Sequence, residues 1–186
     1  MGASWGPPAV NHVEMVHRPG ERALARAVFD LLGCRTVDNG GTWVTGMVDP
    51  DRGDVGDSNN VFYVSEATPE QWALESALST ALAAGGSLGA AWDGYRDRMR
   101  REPQRSAHFG LRCVDRAAFE GRLAAIREAS RTAALEGRLA VVGVYYPDDP
   151  GAVSPKLAQG FVWTDVVASA SLALGQHIEL QWQAIQ

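Results

Sequence analysis

One pattern limits what this chain can fold into, because it occurs twice. Residues 12–18 (His-Val-Glu-Met-Val-His-Arg) align without a gap over residues 108–114 (His-Phe-Gly-Leu-Arg-Cys-Val). Neighbouring side chains on a strand point to opposite faces. The first stretch therefore sets His12 and Glu14 against Val13 and Met15. The second sets His108, Gly110 and Arg112 against Phe109, Leu111 and Cys113. A helix follows each strand. In the first half Leu24, Ala27, Val28 and Leu31 recur at helical spacing and Gly33 stands as a C-terminal stop; in the second Asp115 is an N-cap and Phe119, Leu123 and Ile126 form the apolar stripe. Three strands close each half: "CRTVD", "TWVTGMV" and "NNVFYVSE", then "LAVVGVYY", "QGFVWTDVV" and "HIELQW". The expectation is an α+β fold of two paired β-α-β-β-β modules.

The modules are expected over 10–67 and 105–186, behind a loose tail at 1–9, in one compact domain. The stretch 68–104 reads as a helical insertion. Thr68-Pro69-Glu70-Gln71 has capping-box spacing with Pro in the first turn, and Trp72, Leu74, Leu78, Ala81 and Leu82 supply an apolar stripe. Gly85-Gly86 ends that helix, and a second one carrying Trp92, Tyr95 and Met99 runs to Pro103. These aromatics are expected to pack on the sheets or a second subunit, or to form a lid. "DPDRGDVGDSNN" (49–60) is rich in Asp and Gly but lacks the register and closing Glu of an EF-hand, so a hairpin loop is expected.

Composition removes several function classes. A net charge of −5 with no Lys/Arg block disfavours nucleic acid and anionic membranes as partners. No apolar run approaches the roughly 18–20 residues that cross a bilayer. "MGASWGPPAV" has neither the basic nor the apolar region of a signal peptide, so a cytoplasmic location is expected. Cys34 and Cys113, far apart in sequence, read as free buried thiols.

The chemistry-bearing residues recur with the strands. His12 and His108 stand near the starts of the two opening strands. The closing strand "GQHIELQWQ" alternates His177, Glu179 and Gln181 with Ile178, Leu180 and Trp182. Two imidazoles and the Glu179 carboxylate make a 2-His-1-carboxylate set, which binds a divalent metal and leaves positions open. From about Val10 to Gln183, outside the insertion, the chain resembles the vicinal oxygen chelate superfamily, which includes glyoxalase I, extradiol dioxygenases, and fosfomycin-resistance and bleomycin-binding proteins. The resemblance implies paired modules curved around a metal cleft with His12, His108 and Glu179 as ligands. Where glyoxalase-I-like members carry a fourth ligand this chain has Phe62, with Glu66 further along, so the set matches the three-ligand pattern of the dioxygenases and fosfomycin-modifying enzymes.

The function so implied is a metal-dependent enzyme acting on a small oxygen-bearing substrate. It is extradiol-dioxygenase-like with Fe(II) first, or a lyase, transferase or isomerase with Mn, Zn or Ni. The rival from another class is a non-catalytic small-molecule-binding protein of the antibiotic-resistance kind, and a homodimer stays open. Glu14 as base and Arg112 as an anion clamp are the catalytic candidates, with mutual pairing as their alternative. His177 lines the cleft, supports a metal ligand from behind it, or is solvated; His17 reads as a loop-edge residue, and Tyr145, Tyr146 and Asp165 are weaker acid-base candidates.

Overall fold

A computed structural model describes residues 10–48 and 60–183. The tail at 1–9 and all but the last residue of the 49–60 loop lie outside the described residues. The first half runs β1 (His12–His17), α1 (Arg22–Leu32), β2 (Arg35–Val37), β3 (Trp43–Met47) and β4 (Val61–Glu66). Two helices follow, α2 (Pro69–Ala83) and α3 (Gly86–Arg101), and then a short 3-10 turn at Pro103–Arg105. The second half runs β5 (His108–Arg112), α4 (Arg116–Ala129), β6 (Leu139–Tyr145), β7 (Leu157–Thr164), β8 (Val167–Ala168) and β9 (Gln176–Gln183). The molecule is thus α+β with two mixed sheets, ordered β2-β3-β4-β1-β8 and β5-β9-β7-β6. In each, the opening strand lies parallel to the closing strand of its half: β1 beside β4, β5 beside β9. The remaining neighbours are antiparallel.

Local chemistry sets the helix ends. Thr68 accepts from the Gln71 amide at 3.2 Å and Asp115 from the Ala118 amide at 2.7 Å, each satisfying a donor that the first helical turn leaves free. Gly33 closes α1 at φ 87°, where the Arg122 guanidinium occupies the space a Cβ would take. Arg122 in turn donates to the Leu32 carbonyl at 3.2 Å, tying α4 to the end of α1.

The main hydrophobic core lies between α1, α4 and one face of each sheet, and a smaller cluster gathers Ala67, Ala168 and Leu172 under Trp72 of α2. Val28, Phe29 and Leu32 of α1, Phe119, Leu123 and Ile126 of α4, and Val44, Val64, Ile178 and Leu180 of the sheets are all buried within the main core. Cys34 and Cys113 are free and buried, and burial pushes the Cys34 thiol up to about 12. Among the described residues no helix is long and apolar enough to cross a membrane.

Two expectations need correction. "QGFVWTDVV" is not one strand. It breaks after Thr164, whose hydroxyl accepts from the Val166 amide, and its end leaves its own sheet as β8 to pair with β1. The α2 stripe is narrower than expected. Leu74 is 69% exposed; Trp72 of the stripe does pack, on Ala67, Ala168 and Leu172, but the buried side chain of α2 is Glu75. Its carboxylate accepts from Ser171 Oγ (2.8 Å) and the Ala173 amide (2.9 Å), anchoring the loop before β9.

Candidate functional site

The strand register assembles a polar face on the second sheet. His108 and Gly110 of β5 stand beside His177 and Glu179 of β9, and these stand beside Trp163 and Phe161 of β7. The opposite face of β9 presents Ile178 and Leu180 to the core, so the alternation "HIEL" puts a His and a Glu on the other side. That side does not face water: His177 is 4% and Glu179 6% exposed.

Burial of Glu179 is compensated by two side-chain amide donors, with His108 beside its other oxygen. Gln159 donates to Oε1 at 2.7 Å, Gln181 reaches the same oxygen at 3.3 Å, and His108 Nε2 lies 3.3 Å from Oε2. The other His108 nitrogen, Nδ1, is 2.8 Å from the Ser106 carbonyl. A carbonyl can only accept, so Nδ1 carries a hydrogen. Phe161 packs edge-on against His108 with ring centroids 5.4 Å apart.

Helix α3 covers the His177 end of this face. Two cavities of about 380 and 370 Å³ lie there, both lined by Trp92, Met99 and His177. The first extends past Tyr95 to His108, Phe109 and Val13. The second extends past Trp163 and Leu172 to Arg18, Arg96 and Asp165. Burial first, and then the neighbouring His108, holds the His177 imidazole down to about 4, so it is neutral at pH 7.

The residues singled out from sequence separate into two groups. His108 and Glu179 meet. His12 stays exposed on the first sheet, where Nδ1 is 2.8 Å from Asn11 Oδ1 and the ring lies 5.5 Å from Tyr63. Among the described residues no three His, Cys, Asp or Glu side chains form a group that could hold a metal ion. The residues present therefore do not fit the expected three-ligand centre. Glu14 and Arg112 do not pair with each other: Glu14 accepts from the Trp43 indole at 3.2 Å and Arg112 donates to Gln183 at 2.7 Å. Glu66 shares its side of β4 with Phe62, opposite the His12 face, and accepts from the Gly20 amide at 2.7 Å. His17 is no loop-edge residue. It is fully buried, because β1 is flanked there by β4 and β8, and its Nε2 has no partner among the described residues.

Tyr145 packs beside Phe161 and Tyr146 against Phe119. Asp165 is an ion-pair hub: it binds Arg18 and also Arg138, whose other two nitrogens grip Glu21 at 2.8 and 2.7 Å. The Arg138 hydrogen bonds hold the Glu21 carboxyl below its usual range. Sequence reasoning missed Gln159, although it has the parity of Phe161 within an otherwise apolar strand. Arg138 gave no signal, since its partners come from distant segments.

Comparison with protein-family models, with curated proteins and with solved structures finds no match to this chain.

Proposed function

We propose that the chain is a small-molecule-binding protein on paired β-α-β-β-β modules of the vicinal oxygen chelate type, with its ligand held between α3 and the polar face of β9. The covered cleft carries this reading. Trp92 and Met99 of α3 roof His177, and the adjoining cavities have the size of small-ligand sites, roughly 300–1,000 Å³. The module arrangement is supported by the two strand orders, each with the opening strand beside the closing one.

A metal-dependent dioxygenase, lyase or isomerase on the same fold is favoured only by the His108–Glu179 pair. Its carboxylate is already engaged by Gln159, Gln181 and His108, and His12 is held elsewhere. The two readings separate in thermal unfolding, since any ligand of the native state raises its stability. A set of small aromatic and aliphatic compounds should contain members that raise Tm in the wild type but not after Trp92→Ala. Fe(II), Mn(II) and Zn(II) should give no rise that depends on Glu179. A metal-induced rise lost in Glu179→Gln would overturn the binding reading in favour of the enzyme.

A further inference from the structure

We infer that the ligand of the second cavity is an amphipathic organic acid, an apolar body bearing one carboxylate that Arg96 and Arg100 of α3 clamp together with Arg18. This rests on the binding reading above and adds the chemical class. The chain carries net charge −5, yet this cavity is lined by three guanidinium groups and a single carboxylate, Asp165. Its remaining walls are largely apolar, with Trp163, Val142, Leu172 and Met99 among them. An apolar chamber with cationic groups at one side selects for shape in one part of a ligand and for negative charge in another.

The arginines have bonding capacity to spare. Each guanidinium offers five donors. Arg18 gives one to Asp165 and Arg96 one to Asp93; the Nε of both is buried with no acceptor among the described residues. Arg100 has only a 3.8 Å approach to Asp97. Asp93 and Asp97 hold their arginines from the solvent side, with side chains 63% and 58% exposed. Such exposed pairs within one helix are weak. A carboxylate entering beside Trp163 would be bound in a drier setting, where charge-assisted bonds are stronger, and would draw both α3 arginines inward. Arg96 and Arg100 are one helical turn apart, so both reach one anion.

The test uses two probes with the same apolar body, 2-naphthoate and neutral 2-naphthalenemethanol, in calorimetric titrations of the full chain. Both arginine side chains are substantially solvent-exposed at 43% and 61% and make only weak ion pairs within α3, so Arg96→Gln/Arg100→Gln should unfold close to the wild-type temperature. The wild type should bind the carboxylate at least about tenfold more tightly than the alcohol, the scale of one charge-assisted hydrogen bond. That preference should shrink with added salt and vanish in the double variant, with the alcohol's affinity unchanged. Equal affinity for the two probes, or a preference that survives the double variant, would overturn the inference and leave the binding reading standing. Binding of neither probe would also overturn it, while the Trp92→Ala comparison judges the binding reading separately.

Discussion

Glu179 separates a buried acceptor from a charge in a way that two substitutions can measure. In Glu179→Gln the volume is kept. The amide oxygen still accepts from Gln159, and the amide nitrogen donates to His108 Nε2, which a neutral imidazole hydrogenated at Nδ1 leaves free as an acceptor. Every hydrogen bond has a substitute, so only charge assistance is lost, and stability should fall by no more than about 1 kcal/mol. Glu179→Leu keeps bulk but offers no acceptor. His108 and Gln181 are partly exposed and turn to water, whereas Gln159, 5% exposed, keeps a buried donor without a partner. An unsatisfied buried donor costs about 1–3 kcal/mol, and seating a branched apolar side chain in the carboxylate's place brings the expected total to about 2–4 kcal/mol. Urea denaturation followed by circular dichroism reads both values, and an unchanged m-value would show that the unfolded state is not the cause. The reasoning fails if Glu179→Leu is as stable as Glu179→Gln. The pair would then resemble buried ion pairs that apolar residues replace without loss.

Stability should also fall between pH 6.5 and about 4. His177 binds a proton in the unfolded chain near 6.5 and in the folded protein only near 4, so its contribution is whole above 6.5 and lost progressively toward 4, by about 2–3 kcal/mol. Urea midpoints measured across that range should flatten in His177→Met; an identical slope would assign the loss to other groups. Arg138→Lys keeps the charge but cannot reproduce the two-pronged grip on Glu21 together with the bond to Asp165, and should lower the unfolding free energy from urea titration by about 1–2 kcal/mol. Gly160→Ala would set a Cβ 2.7 Å from Leu123 Cδ2 and 3.3 Å from the Phe119 ring, an overpacking of about 1–3 kcal/mol that calorimetry should show as a lowered Tm.

Much of this was legible in the sequence, for identifiable reasons. Periodicity located α1 and α4 because one face of each must be apolar, and Thr68, Asp115 and Gly33 marked helix ends through the backbone groups they satisfy. The register that sets Glu179 beside His108 follows from alternation once β5 and β9 are neighbours. Glu75 was unreadable because its partners, Ser171 and Ala173, lie in a loop whose path only the tertiary fold defines. The burial of His17 was hidden for a similar reason: its cover comes from β8, a two-residue strand too short to carry a period. The expected meeting of His12 with His108 and Glu179 rested on repeat position, which fixes where a residue lies in its own sheet and not how far the two sheets' faces stand apart.

The crossing of β8 bears on how the chain can fold. Val167 and Ala168 belong by sequence to the second half, yet they cover the backbone edge of β1, and beside them Arg18 binds Asp165 across 147 residues of chain. A first half released alone would present that edge to any unpaired strand, a known route to aggregation. The first sheet therefore reaches its final width only after β7 has been made and the chain has turned away from it. Closing so long a loop before its contacts return free energy slows folding. Docking of Val167 and Ala168 ties the second half of the chain to the first sheet, and during synthesis that edge of β1 stays uncovered until residue 168 has emerged.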